Sequence, residues 1–202
     1  LKDMASLKTS VEWIRVLYTH PAHYTEGLID VIRDEEKVCK YLDIPIQHIS
    51  DHILKNMNRK TKKSDIISLI EKLRGRIPGI ALRTSVITGF PGETDKDFKE
   101  LLDFIRSVKF ERLGAFSYSR EDGTPASKMD RQVPRKVKLE RMDEIMKAQQ
   151  KISQAFNASF VGKTLKVLID EKVEGEMGEY LGRTKNDAPE IDGIVYVAGK
   201  GL

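Results

Sequence analysis

Cysteine is almost missing from this chain. Cys39 is the only one in 202 residues, which excludes an intrachain disulfide framework and fits a reducing, cytoplasmic setting. It also excludes a zinc site or an iron–sulfur cluster built from this chain's cysteines alone. Long apolar runs are missing too. None approaches the roughly 18 residues of a membrane span, so no membrane partner is expected. The opening LKDMASLKTS lacks the basic head and apolar stretch of a signal peptide. There is no phosphate loop of the G-x-x-x-x-G-K-[ST] kind, no persuasive Ser-His-Asp order, no internal repeat and no low-complexity run. The four histidines are His20, His23, His48 and His52. A loop and a helix surface suit these two pairs better than a metal site, and no metal ligand is expected. Charge of one sign is not in large excess: 35 Lys plus Arg face 31 Asp plus Glu, a net +4. That permits an RNA or ribosome partner without demanding one. The basic stretches 60–63 and 131–138 could hold RNA or a ribosome but read better as a solvated linker and a helix face.

What remains is a soluble, globular composition, 40% hydrophobic and 33% charged, long enough for one or two domains. Leu1, Met4 and Leu7 read as the end of a helix. Leu1 is not a start methionine, so the chain is expected to be cut from a longer one. Residues 13–18 make a strand by composition and stop at Pro21. Thr25 caps a helix bearing Leu28, Ile29 and Ile32. A strand over 38–46 follows, then a helix capped by Ser50 and a helix capped by Ser64. The strand of 82–88 comes next, then a helix capped by Thr94 with Phe98, Leu101, Leu102, Ile105 and Val108 at helical spacing. Residues 112–118 form a fourth strand. This alternation predicts a parallel sheet with helical crossovers. Four strands leave a barrel open at the N-terminal side. Pro134 starts a long helix. Beyond residue 160 the pattern turns to short strands with Gly turns: 164–169 with Leu165, Val167 and Ile169 inward, then 180–184 and 194–198. The expected organisation is therefore residues 1–160, a partial parallel barrel with a long linking helix, and 161–202, a small all-β domain.

The stretch LRTSVITGFPGET, residues 82–94, organises the first part. A strand runs into a Gly-rich turn and a capped helix, and ligands of parallel α/β folds sit at such strand ends. Gly89 and Gly92 let a ligand approach the backbone, though the same residues also make an ordinary tight βα loop. Polar residues cluster at the other strand ends: His20, Gln47, His48, Tyr118, Ser119 and Glu121, with Arg83 and Ser85 inside the strand. Arg83 must meet an anion or a carboxylate, or else be exposed. A salt bridge within the barrel would satisfy it equally well.

Four segments taken together, YLDIPIQHISDHILKNMNR, LRTSVITGFPGETDKDF, LGAFSYSREDGTPA and GRTKNDAPEIDG, resemble the radical-SAM methylthiotransferases along essentially the whole chain. His48 and the segment 187–193, DAPEIDG, are closer to the RimO branch, which modifies a ribosomal protein, than to the tRNA-modifying MiaB branch. The resemblance implies that this chain supplies the last four strands of a six-stranded parallel barrel, followed by a TRAM domain that contacts RNA or the ribosomal protein. It implies addition of a methylthio group to the β-carbon of an aspartate in a small-subunit ribosomal protein near the decoding centre. It implies S-adenosylmethionine and two 4Fe–4S clusters, one generating a 5′-deoxyadenosyl radical and one carrying sulfur. The C-x-x-x-C-x-x-C motif that holds the radical-SAM cluster is absent here, so the chain alone is expected to be inactive. The TRAM-like part is expected to be incomplete, stopping at residues 199–202. Carried over by position, Ile87 and Gly89 match the family's loose G-x-I-x-G adenosine pattern, with Ser85 in place of the first glycine and Gly92 completing the turn. Phe116 and Tyr118 are candidates to wall the adenine. Gln47 and His48 are candidate pocket members. Arg15 and Arg83 are candidates for the cosubstrate carboxylate or the substrate aspartate. No catalytic residue is identified.

Overall fold

The computed structural model describes residues 1–173 and 178–199. Helix α1 is Lys2–Ser6, strand β1 Ile14–Val16, α2 Glu26–Asp34, β2 Val38–Asp43, α3 Asp51–Asn56 and α4 Lys63–Arg76. Strand β3 is Ala81–Thr88, α5 Asp95–Val108, β4 Arg112–Ser117 and α6 Arg135–Ala158. Strands β5 (Leu168–Lys172), β6 (Glu179–Arg183) and β7 (Val195–Ala198) follow. The first four strands pair in order β1-β2-β3-β4, all parallel. The last three form an antiparallel sheet in order β5-β6-β7.

The parallel order follows from the alternating pattern, because each strand returns to its neighbour through a helix. One face of the sheet carries that helical layer. Leu42 and Val86 meet Ile29 and Ile32 of α2, Ile66 and Leu73 of α4, Leu101 and Ile105 of α5, and Ile145 of α6 in one core. Each wholly buried Ile or Leu contributes about 2 kcal/mol. Cys39, Tyr41 and Ala81 point to the opposite face, where they form a second cluster with Ala188 and partly buried Trp13.

Thr25 and Thr94 cap their helices as the sequence predicts, accepting from the amides of Leu28 and Asp97. Ser50 occupies the N-cap position of α3, but its hydroxyl donates to Asp97 Oδ1 at 2.5 Å instead. Ser64 is no cap. Helix α4 begins at Lys63, two residues earlier than a Ser64 cap would give, and carboxylates cap it: Asp65 accepts from the Lys62 amide and Asp51 from the Lys63 amide. Strand β5 starts at Leu168, the first residue with a ladder partner, Arg183. Leu165 lies before it and is exposed rather than inward. The acidic connection between β5 and β6 lies mostly on residues 174–177, and the expected stop at 199–202 lies mostly on 200–202. Both segments are outside the described residues.

Candidate active site

The turn after β3 is held from behind. Gly89 has φ 71° and its amide donates to Glu93 Oε2 at 2.8 Å. A Cβ at Gly89 would lie 2.2 Å from Lys138 Cγ. The close approach that glycine permits here is made by the stem of a lysine on α6. Gly92, φ 88°, donates its amide to the Arg131 carbonyl, and a Cβ there would meet Asn56 at 3.2 Å. Glu93 does not cap the helix. Its side chain is wholly buried, and Oε1 accepts from the Arg141 guanidinium at 2.7 Å. His48 is buried beside it, with Nε2 3.6 Å from Glu93 Oε2, too long for a hydrogen bond. His48 Nδ1 accepts from the Ser50 amide at 3.0 Å, so the neutral ring carries its proton on Nε2. His48 thus belongs to a buried brace between two strand-end loops and α6.

Asp97 ties the same loops together. Burial works against its charge, but the hydroxyls of Ser50 and Thr94 and the Thr94 amide donate to it, and its carboxyl is held down to about 2. Gln47 is stitched to β3 by its backbone. Its amide donates to the Ser85 carbonyl and its carbonyl accepts from the Ile87 amide, with φ at 70°. A non-glycine residue in that region is held there by its surroundings.

On the face away from the helical core, β3 presents Arg83, Ser85 and Ile87 in steps of two, all half-buried. The register places Asp43, Arg83 and Arg112 side by side across β2, β3 and β4. Above this row Ser85 is level with Gly114, and Ile87 with Phe116. The charged row is satisfied largely from the C-terminal unit. Arg83 Nη1 donates to Asp43 Oδ1 at 2.9 Å, and its Nε lies 3.4 Å from Asp192 Oδ1. Asp192 Oδ2 accepts from the Tyr41 hydroxyl at 2.6 Å and the Ala188 amide at 2.8 Å. Arg112 donates to Asp187 Oδ1 at 2.5 Å. Arg15 lies over the Tyr41 ring and donates to the carbonyls of Thr184 and Lys185. Burial and the Asp192 bond push the Tyr41 hydroxyl well above the usual phenol range.

The remaining candidates stand apart from this row. Phe116 is 56% exposed. Tyr118 meets Phe90 edge-on, lies under Lys138 Nζ, and has a buried hydroxyl with no hydrogen-bond partner among the described residues. His20 caps the turn Pro21–His23, accepting from the Ala22 amide. Ser119 donates to Glu121 on the surface. Sequence reasoning missed Tyr41, Asp43, Arg112, Arg141, Asp187 and Asp192. One signal pointed to them: arginines inside apolar strands require carboxylates, and DAPEIDG carries two aspartates in seven residues.

The groups that the sequence resemblance implies fit this chain unequally. Among the described residues no three His, Cys, Asp or Glu side chains come together to hold a metal, and Cys39 is buried. The residues present do not fit a 4Fe–4S cluster. At the strand ends Ser85 and Ile87 are half-buried, Phe116 is exposed, and the Tyr118 hydroxyl has no partner among the described residues.

Comparison with known proteins sets this geometry among relatives. The chain is 51% identical over 98% of its length to the ribosomal protein uS12 methylthiotransferase RimO of Clostridioides difficile. It is 52% identical, over the same share, to the protein of that name from Geotalea uraniireducens. It spans 44% of the length of each of these relatives. Among solved structures, coproporphyrinogen III oxidase HemN of Escherichia coli superposes with a TM-score of 0.57 at 19% identity, covering 69% of this chain and 32% of that one. The archaeal Elp3 of Methanocaldococcus infernus gives 0.52 at 12% identity, over 90% of this chain and 55% of that one. Both share the fold. The TRAM domain model matches residues 161–202. The Radical SAM superfamily model matches residues 2–105, the parallel β/α half of the chain. The chain belongs to the radical SAM superfamily.

Proposed function

We propose that this chain is part of a radical-SAM methylthiotransferase that adds a methylthio group to the β-carbon of an aspartate in ribosomal protein uS12. The observation that carries this reading is the 51–52% identity, across nearly all of the chain, to relatives bearing that activity in their name. In this reading residues 1–160 are the catalytic half and 161–202 the unit that docks the ribosomal protein. Gln47, Ser85, Ile87, Phe116 and Tyr118 form the wall that takes S-adenosylmethionine. Gly89 and Gly92 shape the loop beside it. His48, Arg15 and Arg83 hold that wall from behind rather than contacting the cosubstrate. The cysteines of a 4Fe–4S cluster are not among these 202 residues, and no step through a cluster is assigned to this chain.

The test uses the full-length protein, reconstituted with iron and sulfide and supplied with S-adenosylmethionine and uS12. Mass spectrometry should find the methylthio group on an aspartate of uS12. Product on tRNA and none on uS12 would sink the assignment. In calorimetry the 202-residue chain should bind S-adenosylmethionine weakly or not at all, and tight binding would overturn the view that it cannot act alone.

A further inference from the structure

The charged row of β2–β4 and the segment 184–193 form one buried layer that spans both units. Three arginines of the parallel sheet, Arg15, Arg83 and Arg112, point into it. The TRAM-like unit answers them with two carboxylates and two carbonyls. Ala188 fills the space between Cys39, Tyr41 and Ala81. The side chains of Asp187 and Asp192 are 6% and 2% exposed. This is far more than a surface contact, because stranding either partner of such a pair inside the protein is strongly unfavourable.

The layer lies directly beneath the candidate pocket. Arg83 is two residues below Ser85 on the same strand face, and its Nη1 donates to Ser85 Oγ at 3.4 Å as well as to Asp43. Asp43 fixes one end of the guanidinium and Asp192 sits at the other, against Nε. A planar fork hydrogen-bonded at one end and ion-paired at the other is restricted in its rotation. Asp192 is itself fixed by the Tyr41 hydroxyl and the Ala188 amide. The order along this face is therefore Asp192, Arg83, Ser85.

We propose that Asp192 is a positioning residue of the radical-SAM pocket: it reaches from the TRAM-like unit to lock Arg83, and through Arg83 orients Ser85 in the pocket floor. The C-terminal unit then contributes to the chemistry as well as to docking. This rests on the barrel face being the reaction pocket, as in the reading above. Reductive cleavage of S-adenosylmethionine needs no ribosomal protein, so a failure of the uS12 assignment would not hide the result.

The experiment compares full-length, cluster-loaded Asp192→Asn, Arg83→Gln, the double variant and Glu12→Gln. The last breaks only an exposed pair with Lys166 between the same two units. In Asp192→Asn, kcat/KM for S-adenosylmethionine cleavage should fall about tenfold, the scale of losing one buried ion pair. The double variant should be no worse than Arg83→Gln, because the two residues act in series. Glu12→Gln should match wild type. In the unloaded proteins, Asp192→Asn should speed hydrogen exchange along β3 and leave α5 unchanged. The proposal is overturned if Asp192→Asn lowers the melting temperature with cleavage kinetics intact. It is overturned equally if its loss multiplies with that of Arg83→Gln, or if Glu12→Gln does the same damage. Should Asp192→Asn not fold, Tyr41→Phe keeps both charges and removes one bond to Asp192. A loss of about twofold is then expected, and unchanged kinetics would refute the proposal.

Discussion

Glu93 and Arg141 make a buried structural brace behind the turn after β3. Their side chains are 0% and 8% exposed, so neither charge is hydrated if the other is removed. Arg141→Ala should destabilise the chain by about 3–5 kcal/mol, measured by urea unfolding. Arg141 also pairs with Asp95, but that carboxylate is fully exposed. Asp95→Ala should leave the midpoint near wild type, and a large shift there would contradict this account of the brace. Asp97 gives a pH prediction with a definite sign. Its folded carboxyl is depressed to about 2, below the usual value near 4. The stabilisation is therefore full above about pH 4 and lost as pH falls through the folded value near 2. Asp97→Asn should flatten that part of the stability profile, and an unchanged slope between about pH 4 and pH 2 would rule Asp97 out as its source. At this scale the sequence showed that Arg83 needs an anion. It could not show which, because Asp43 lies 40 residues away and Asp192 in another unit, and only the fold joins them.

At the scale of elements, periodicity carried most of the information. Strands β2, β3 and β4, the long helix α6 and the parallel order were legible because each strand alternates with an amphipathic helix. Boundaries were less so, since a cap depends on which polar side chain wins the free amides. Ser64 is the better cap by residue type, yet Asp51 arrives from α3 at 2.7 Å and takes the first amide of α4. Asp65 takes that of Lys62. Asp65→Ala should therefore cost about 1 kcal/mol in urea unfolding, and Ser64→Ala less than about 0.5 kcal/mol. The reverse order would restore Ser64 as the cap. Strand β5 was misplaced by four residues for a related reason. Leu165, Val167 and Ile169 alternate as a buried strand should, but pairing begins only where β6 supplies a partner.

For the whole molecule, the question is whether the two sheets behave as one body. Sequence pattern separates them, since one is parallel with helices and the other antiparallel without. The joint is made by side chains that no periodicity marks: Asp187, Asp192, and the carbonyls at 184 and 185 that Arg15 reaches. Cys39 reports on that joint. It is wholly buried under Ala188, and burial raises its thiol above the usual range, so both access and thiolate formation oppose reaction. In the 202-residue chain it is the only thiol. Its labelling by a disulfide reagent under native conditions therefore measures opening of the interface or of the whole fold, and denaturant separates the two. Local opening exposes little surface and depends weakly on denaturant, whereas global unfolding depends on it steeply. Asp187→Asn weakens the Arg112 pair while leaving Cys39 and Ala188 themselves unchanged. It should speed labelling by about tenfold or more with a shallow denaturant slope. Glu12→Gln, on the exposed rim of the same joint, should not. If Asp187→Asn speeds labelling only as far as its loss of global stability requires, the sheets open and close together with the whole fold. The buried carboxylates would then be part of a single cooperative core rather than a separable latch.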